Sequence, residues 1–253
     1  MRPESLKLFA KRMENGYITR EQSPAYYEYY NDPEIASELA IMEQELDFTL
    51  YKTNGRLYLL PDPNNELFSQ DNNDFRRSVG NEKLEELYLL NYMAIFLLHE
   101  LYGGKGNTLQ TRYYIKESDF LSEFTKHCEQ VRSEGESLKN ASAQYSIDFL
   151  HLADNWLAKR GDESNSVDTK HGCFMKIIRK FRDEELLYDA DGVWKPTVKL
   201  NDLMPYYLSQ TRITEIHSIL EGGKPDASDQ QLMADAEKAG GRKYAELLAL
   251  TYR

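Results

Sequence analysis

The sequence predicts a mainly α-helical protein with small β-hairpins, an α+β fold, and three observations lead to this prediction. Apolar residues recur at helical spacing in several segments of the chain. Two short β-rich runs surround an Asn-Gly or an Asp-Gly pair, and such pairs supply the positive φ values of a two-residue hairpin turn. With 253 residues, 41% of them hydrophobic and 12% aromatic, the chain can form one large or two small domains with packed cores.

Composition also indicates where the protein works. Two cysteines are too few for a disulfide framework, which is typical of a reducing cytosol. The opening MRPESLKLFAKRMENG lacks the apolar core of a signal peptide. The longest uncharged apolar stretch, Leu87–Leu98, is too short to cross a bilayer. We therefore expect a cytoplasmic protein that does not bind membranes.

Charge is distributed unevenly along the chain. The net charge of −11 argues against a protein that coats nucleic acid over its whole surface. The window Glu21–Tyr51 contains eight acidic residues and no Lys, Arg or His, so it carries −8 of this total. The same window holds four clustered tyrosines, which either anchor a partner or divide between core and surface. These tyrosines are Tyr26, Tyr27, Tyr29 and Tyr30.

Residues 1–65 show the element order of a winged-helix domain. A first helix is predicted near residues 4–14, and its apolar face consists of Leu6, Phe9, Ala10 and Met13. Ser23-Pro24 and Asp32-Pro33 each join an N-cap acceptor to a proline at the first helical position, and the second pair opens a helix that reaches about Leu46. FTLYKTNGRLYLLP then predicts a hairpin around Asn54-Gly55. Three short helices followed by a hairpin are typical of a winged helix.

Residues 66–81 are rich in Asn and Asp and predict a linker. The following EKLEELYLLNYMAIFLLHEL predicts a helix that is apolar nearly all round, which must be buried in a core or a dimer interface. Because this helix has more apolar surface than a small winged helix needs, we expect a homodimer that uses Leu84–Leu101 or its immediate neighbours. Glycines from Gly103 onwards end the helix.

The second domain is assigned to residues 82–205. It continues with a strand-like TRYYI, a helix from about Ser118, an amphipathic helix near residues 143–159 and an exposed loop, KRGDESNSVDTKHG. The apolar stripe of the amphipathic helix is Tyr145, Phe149, Leu152 and Trp156. A helix over Gly172–Asp183 then leads into a second hairpin around Asp191-Gly192, so this domain also ends as a winged helix.

The two hairpins share the pattern Leu-Tyr-x-x-(Asn/Asp)-Gly, at Leu50–Gly55 and at Leu187–Gly192. A helix precedes the pattern each time, which indicates that the two domains arose by duplication. Residues 206–253 predict a helical tail that EGGKPDASD interrupts.

No motif in the chain points to catalysis. The loop Gly103–Thr108 follows a helix and lacks P-loop spacing, so helix termination explains it better than phosphate binding. His127-Cys128 and His171-x-Cys173 are the candidate zinc ligands, but no CxxC pair is present and adjacent residues of a helix point apart. Buried thiols and surface imidazoles explain them better. We expect no catalytic residues, no cofactor and no metal.

The helix over Gly172–Asp183 is the candidate for nucleic-acid contact. Its apolar side is Phe174, Ile177, Ile178 and Phe181, and its basic side is Lys176, Arg179, Lys180 and Arg182. It directly precedes a hairpin, where a winged helix places its recognition helix. A merely solvated face is the alternative interpretation. The matching helix of the first domain is acidic, and phosphates would repel it.

Four segments of the chain resemble the tandem winged-helix KITE subunits, MukE-like and Wadjet-type, of bacterial condensin-like SMC complexes. They are GYITREQSPAYYEYYNDPEIASELAIMEQELDFTLYKTNGRLYLLPDPNN, YMAIFLLHELYGG, YYIKESDFLSEF and IIRKFRDEELLYDADGVWKPT. The likeness covers most of residues 1–200 but not the tail. It implies a non-enzymatic, nucleoid-associated homodimer that binds a kleisin beside an SMC ATPase. The complex would act on plasmid or chromosomal DNA, which the second winged helix contacts directly or through its partners.

A winged-helix transcriptional regulator is the alternative hypothesis. Its second domain would bind promoter DNA, while the first would dimerise or bind an effector. The two hypotheses differ in the partners they require.

Overall fold

The protein, seen in a computed structural model, has the predicted class: a mainly helical α+β fold with small antiparallel sheets. The structure describes residues 2–15, 17–21, 23–24, 27, 31–62, 65, 83–103, 110–133, 135, 147–208, 216 and 220, without the side chains of residues 11–15, Met13 among them. Two compact units divide the chain, the first ending at Gln70 and the second beginning at Asp71. The predicted linker 66–81 lies outside the described residues and stays a prediction.

The first unit combines helices with a three-stranded sheet. In chain order its elements are α1 (Pro3–Asn15), β1 (Tyr17–Thr19), α2 (Pro33–Glu45), β2 (Phe48–Thr53) and β3 (Arg56–Pro61). The α2 helix begins where the sequence predicts, because the Asp32 carboxylate accepts hydrogen bonds from the backbone N–H groups of Glu34 and Ile35 at 2.9 and 3.3 Å. In the helix predicted after Ser23, the Tyr27 N–H donates to the Ser23 carbonyl at 3.0 Å. The other three clustered tyrosines lie outside the described residues.

The sheet of the first unit is antiparallel, with strand order β1-β3-β2. The β2–β3 hairpin turns at Asn54 and Gly55, whose φ angles are 45° and 73°. Two consecutive positive φ values define the type I′ turn that the sequence predicts. One face of the sheet carries Ile18, Leu50 and Leu57 into a core that α1 and α2 complete.

The buried side of α1 differs from the prediction. Leu8 and Ser5 are fully buried, whereas Leu6 is 50% exposed and Ala10 is exposed as well. Ser5 Oγ donates a hydrogen bond to Glu38 Oε2 of α2 at 2.6 Å, which turns the Ser5 side of α1 towards α2. This bond is the main cause that lowers the pKa of Glu38. The predicted face was therefore wrong at Leu6 and Ala10, because apolar spacing alone does not register a buried serine. Phe9 is partly buried against the core as predicted.

The second unit packs helices around a long central helix. Its elements are α3 (Leu84–Tyr102), α4 (Glu117–Ser133), α5 (Phe149–Ala158), α6 (Lys170–Asp183), β4 (Leu187–Ala190), β5 (Val193–Pro196) and α7 (Val198–Tyr207). The α5 helix begins later than predicted, because Asp148 caps it by accepting from the His151 N–H at 2.9 Å. Tyr145 lies outside the described residues. The rest of the predicted stripe is buried: Phe149, Leu152 and Trp156.

The α3 helix is buried nearly all round, as predicted. Helices α4, α5 and α6 of the same unit pack against it, and its residues from Leu89 to Leu98 are all buried. The apolar surface that suggested a dimer is therefore largely covered within the unit. Leu84 and Tyr88 near its N-terminus remain 49% and 41% exposed.

Aromatic rings fill the space between α3, α4 and α5. The Phe124 ring of α4 lies edge-on to Trp156 and Phe96, with centroid distances of 4.9 and 5.1 Å. Each such pair contributes about 0.5–1.5 kcal/mol beyond the burial of its surface. This aromatic cluster fixes the helices of the second unit against one another.

One polar pair lies inside the aromatic cluster. The Tyr92 hydroxyl and His127 Nε2 are 2.5 Å apart, and only 9% of His127 is exposed. Burial lowers the pKa of His127 to about 4, and the charge of His99 adds to this effect. The imidazole is therefore neutral at pH 7 and can accept the Tyr92 hydroxyl proton in a hydrogen bond.

The segment predicted as a strand, TRYYI, pairs at one residue only. Ile115 and Trp194 of β5 exchange two backbone hydrogen bonds of 2.8 Å in an isolated bridge. Just before it, the Arg112 guanidinium binds Glu100 of α3 and Glu123 of α4, with N–O distances of 2.8 and 2.7 Å. The segment follows these two helices instead of the sheet, which is why the strand prediction was too long.

The predicted loop KRGDESNSVDTKHG is exposed in its middle, residues 161–165, but is closed at its ends. Arg160 and Thr169 form an isolated parallel bridge. The Thr169 hydroxyl caps α6 by accepting from the Gly172 N–H at 3.0 Å, so α6 begins two residues earlier than predicted. A Cβ at Gly172 would lie 1.9 Å from the Ser166 carbonyl oxygen, so only glycine lets the loop approach the helix this closely.

The α7 helix runs through Pro205 to Tyr207, so the domain boundary predicted at residue 205 falls inside a helix. Thr197 caps it by accepting from the Leu200 N–H at 3.3 Å. Within the predicted tail beyond residue 208, the structure describes only Ile216 and Leu220, which are helical and buried.

The close approach at Gly172 gives a stability prediction. Gly172→Ala should lower the free energy of unfolding of the second unit by about 3 kcal/mol, because a methyl group there collides with backbone atoms. Urea unfolding followed by tryptophan fluorescence measures this, since both tryptophans, Trp156 and Trp194, belong to the second unit. The control is Gly161→Ala, whose Cβ would meet nothing within 4 Å. Equal effects of the two variants would contradict the prediction.

The buried His127 predicts a pH dependence. Its folded-state pKa of about 4 lies below the ordinary histidine value of 6.5, so the unfolded chain takes up the proton first as pH falls. The free energy of unfolding should therefore decrease between pH 7 and pH 4, by about 3 kcal/mol from this group. His127→Gln should remove that part of the pH dependence, whereas His151→Gln, at an exposed imidazole, should leave it intact. Parallel profiles for the parent and His127→Gln would count against it.

Candidate interaction surfaces

The α6 helix carries the residues predicted to contact DNA. Its apolar side is buried as predicted, with Phe174, Ile177, Ile178 and Phe181 all 4% exposed or less. On the other side, Arg179 and Arg182 are exposed, whereas Lys176 and Lys180 are only partly exposed. The helix therefore exposes two of the four predicted cations to solvent.

Acidic residues at the end of α6 reduce its positive charge. Lys180 Nζ lies 3.0 Å from Glu184 Oε1, and 10% of the Lys180 side chain is exposed. Arg182 lies 3.1 Å from Asp183 Oδ1, with more than half of both side chains exposed. The α6 surface, with two exposed arginines, suits one or two phosphate contacts.

The corresponding helix of the first unit, α2, has a different surface. Ile35, Leu39 and Met42 face the core. The exposed side carries an uncharged stripe at i, i+3, i+4 and i+7, which we call the α2 stripe: Ser37, Ala40, Ile41 and Gln44. Ile41 is 60% exposed in its centre. An uncharged helical stripe with a protruding isoleucine suits an apolar protein partner better than a phosphate backbone.

Sequence reasoning did not identify the α2 stripe. The run IASELAIMEQE places Ile41 beside Met42, and both are apolar. Which of the two enters the core depends on how α2 rotates against the sheet. Periodicity alone leaves this choice open.

Both hairpins pair with an upstream segment at the same register. In the first unit, Ile18 of β1 pairs with Leu57, two residues after the Gly55 turn position. In the second unit, Ile115 pairs with Trp194, two residues after Gly192. The second turn also has two positive φ angles, 56° and 82° at Asp191 and Gly192. The likeness between the two hairpins therefore includes the upstream residue that pairs with the second strand of each hairpin.

The outer faces of the two sheets differ in burial. In the first unit, Tyr58 pairs with Tyr17 on one side and Tyr51 on the other, and Tyr58 is 2% exposed. In the second unit, Tyr188 corresponds to Tyr51, and Tyr114, the residue before Ile115, corresponds to Tyr17. Tyr188 and Tyr114 are 47% and 51% exposed. The dipeptide Tyr-Ile occurs in both upstream segments, as Tyr17-Ile18 and Tyr114-Ile115. This repeat could have revealed the pairing from the sequence.

The cysteines and histidines considered as zinc ligands lie in different surroundings. Cys128 and Cys173 are fully buried, and burial raises the pKa of the Cys128 thiol. Cys173 Sγ donates to the Val167 carbonyl at 3.2 Å. His171 Nδ1 lies 2.5 Å from Glu117 Oε1. The expected surface position of the imidazoles was wrong for His127, which is buried because it packs among aromatic rings. Across the described ranges, no three His, Cys, Asp or Glu residues come together as a metal site.

Comparison with known proteins gives a family without a described activity. Within the described part of the chain, no helix is long and apolar enough to span a membrane. No curated protein matches the chain. Residues 3–226 match DUF6063, a family of unknown function. Since this match covers most of the sequence, the chain belongs to the DUF6063 family.

Proposed function

We propose that the protein is a non-enzymatic, kleisin-binding subunit of a condensin-like SMC complex, built from two winged-helix units. The complex would resemble Wadjet or MukBEF and act on plasmid or chromosomal DNA in the nucleoid. The subunit would be a homodimer beside an SMC ATPase. The proposal rests on the sequence resemblance to KITE subunits and on the surfaces of α2 and α6.

The repeated hairpins support the tandem winged-helix part of the proposal. Each unit has a helix directly before a two-residue hairpin, and an upstream isoleucine, Ile18 or Ile115, pairs with the second hairpin strand. A winged helix places a short third strand beside its wing. The β1 strand fills this place in the first unit, and the single bridge at Ile115 lies at the same place in the second. This repetition in one chain agrees with the KITE layout.

The α2 stripe is the observation that carries the protein-binding assignment. It lies on the helix before the first hairpin, within the window Glu21–Tyr51 that contains no basic residue. DNA would be repelled there, whereas an apolar partner segment would cover Ile41 and gain the free energy of its burial. Together these features favour a partner protein at the first unit.

Arg179 and Arg182 favour the second candidate, a winged-helix transcriptional regulator. They are exposed on the helix that precedes the second hairpin. A recognition helix would use such side chains for phosphates or guanine edges. The same two residues can serve an SMC complex through phosphate contacts without sequence preference.

A co-purification experiment separates the two functions. Full-length tagged protein isolated from its native cells should bring down a kleisin and an SMC ATPase, and Ile41→Asp should reduce kleisin recovery at least tenfold by placing a charge in the proposed contact. Val198→Asp changes an exposed apolar residue of the second unit and serves as the control. Recovery of the protein alone, bound to promoter DNA, would overturn the SMC assignment.

The dependence of DNA affinity on salt concentration tests whether α6 contacts phosphates. Arg179→Glu with Arg182→Glu should lower the slope of log K against log salt by about 2, because each lost phosphate contact removes about 0.9. Arg132→Glu, an exposed arginine of α4 paired with Asp154, is the control and should leave the slope unchanged. Equal weakening for all DNA sequences fits the SMC complex, and loss of sequence discrimination fits the regulator. An unchanged slope in the double variant would show that this face is only solvated.

A further inference from the structure

A pocket opens between the N-terminal ends of α3 and α5 in the second unit. It encloses about 160 Å³. Its lining residues are Glu85, Tyr88, Ile147, Asp148, His151 and Leu152. Two exposed leucines, Leu84 at 49% and Leu150 at 38%, belong to the same two helix ends. We call this region the α3–α5 pocket, and it is an apolar depression ready to receive one or two large side chains.

The charge of the α3–α5 pocket is acidic. Glu85 and Asp148 line it, and neither Lys nor Arg does. Glu85 is 67% exposed, and its carboxylate lies 3.9 Å from the His151 imidazole. The Asp148 carboxylate is held in place by its cap to α5. A complementary occupant therefore has an apolar stripe with basic flanks.

The chain itself contains such a segment. In GRKYAELLALTYR, residues 241–253, apolar side chains recur at helical spacing: Tyr244, Leu247 and Leu248. Arg242, Lys243 and Arg253 outnumber the single acid, Glu246. This segment lies outside the described residues, and the predicted helical tail includes it.

The connection to the pocket is long. Residues 221–240 separate the segment from Leu220, the last described residue, and contain Gly222-Gly223, Pro225 and Gly240. Twenty residues can extend over at most roughly 65 Å, which is longer than a small domain. A tethered segment experiences an effective concentration on the order of millimolar, which makes even weak docking effective.

We propose that residues 241–253 dock into the α3–α5 pocket of their own chain, with their leucines in the pocket and their basic residues beside Glu85 and Asp148. The docked segment covers Leu84, Tyr88 and Leu150. Any partner of this surface must then displace the tail. This inference does not depend on the SMC assignment.

A peptide-binding experiment on the full-length chain tests the proposal. In the first variant, Leu247→Asp and Leu248→Asp detach the tail. A fluorescein-labelled peptide of residues 241–253 should bind this variant saturably, and should bind the parent chain at least tenfold more weakly because the tail occupies the pocket. Adding Leu150→Asp to the variant should abolish binding, whereas adding Val198→Asp, an exposed site elsewhere in the unit, should not.

The outcomes that overturn the proposal are distinct. Absence of peptide binding, or binding that Leu150→Asp leaves unchanged, shows that the tail does not use this pocket. Equal peptide affinity for the parent and the detached variant shows that the pocket is empty in the parent. A parent that is dimeric and becomes monomeric when the tail is detached shows that the tail docks on a second copy instead. Circular dichroism of each variant confirms that it is folded.

Discussion

Each unit of this protein depends on one backbone pairing, between the second strand of its hairpin and an upstream residue. Two residues after each Gly of the hairpin turn, the second strand pairs with an isoleucine from far upstream, Ile18 in one unit and Ile115 in the other. Side chains of a strand alternate between its faces, so a slip of one residue would move Leu57 or Trp194 to the wrong side. The turn fixes this register locally, and the distant isoleucine extends it across the sheet. The helices can then pack against a single defined face.

The same framework carries different surfaces in the two units. The helix before the first hairpin exposes the uncharged α2 stripe, and the helix before the second exposes Arg179 and Arg182. Their buried sides are alike, with apolar residues at helical spacing in both. Since cores require only volume and apolarity, the two helices differ chiefly on their outer faces.

Hydrogen bonds hold buried polar groups at two places in the described core of the second unit. Tyr92 and His127 form a hydrogen-bonded pair among aromatic rings, and burial keeps the imidazole neutral. Thr169 is fully buried at the start of α6, yet its hydroxyl caps the helix. Gly172 allows the preceding loop to lie against that cap. Buried polar groups with partners hold α4 and α6 in one arrangement.

The sequence by itself determined the local features of the fold. Asp32-Pro33 began a helix, and Asn54-Gly55 and Asp191-Gly192 turned hairpins, because each depends on neighbouring residues alone. The continuous apolar run of α3 predicted its burial because such a helix has no side suited to water. The apolar side of α6 followed from periodicity in the same way. Most of the fold class was therefore predictable.

Tertiary contacts decided the rest, including most of the candidate site. The choice between Ile41 and Met42 and the burial of Ser5 depend on how each helix rotates and on which side chains lie near it in space. The single bridge at Ile115 replaced a predicted strand because Arg112 binds two helices instead. A sequence pattern records which side chains are apolar or charged. Only packing decides which of them meet each other and which remain for a partner.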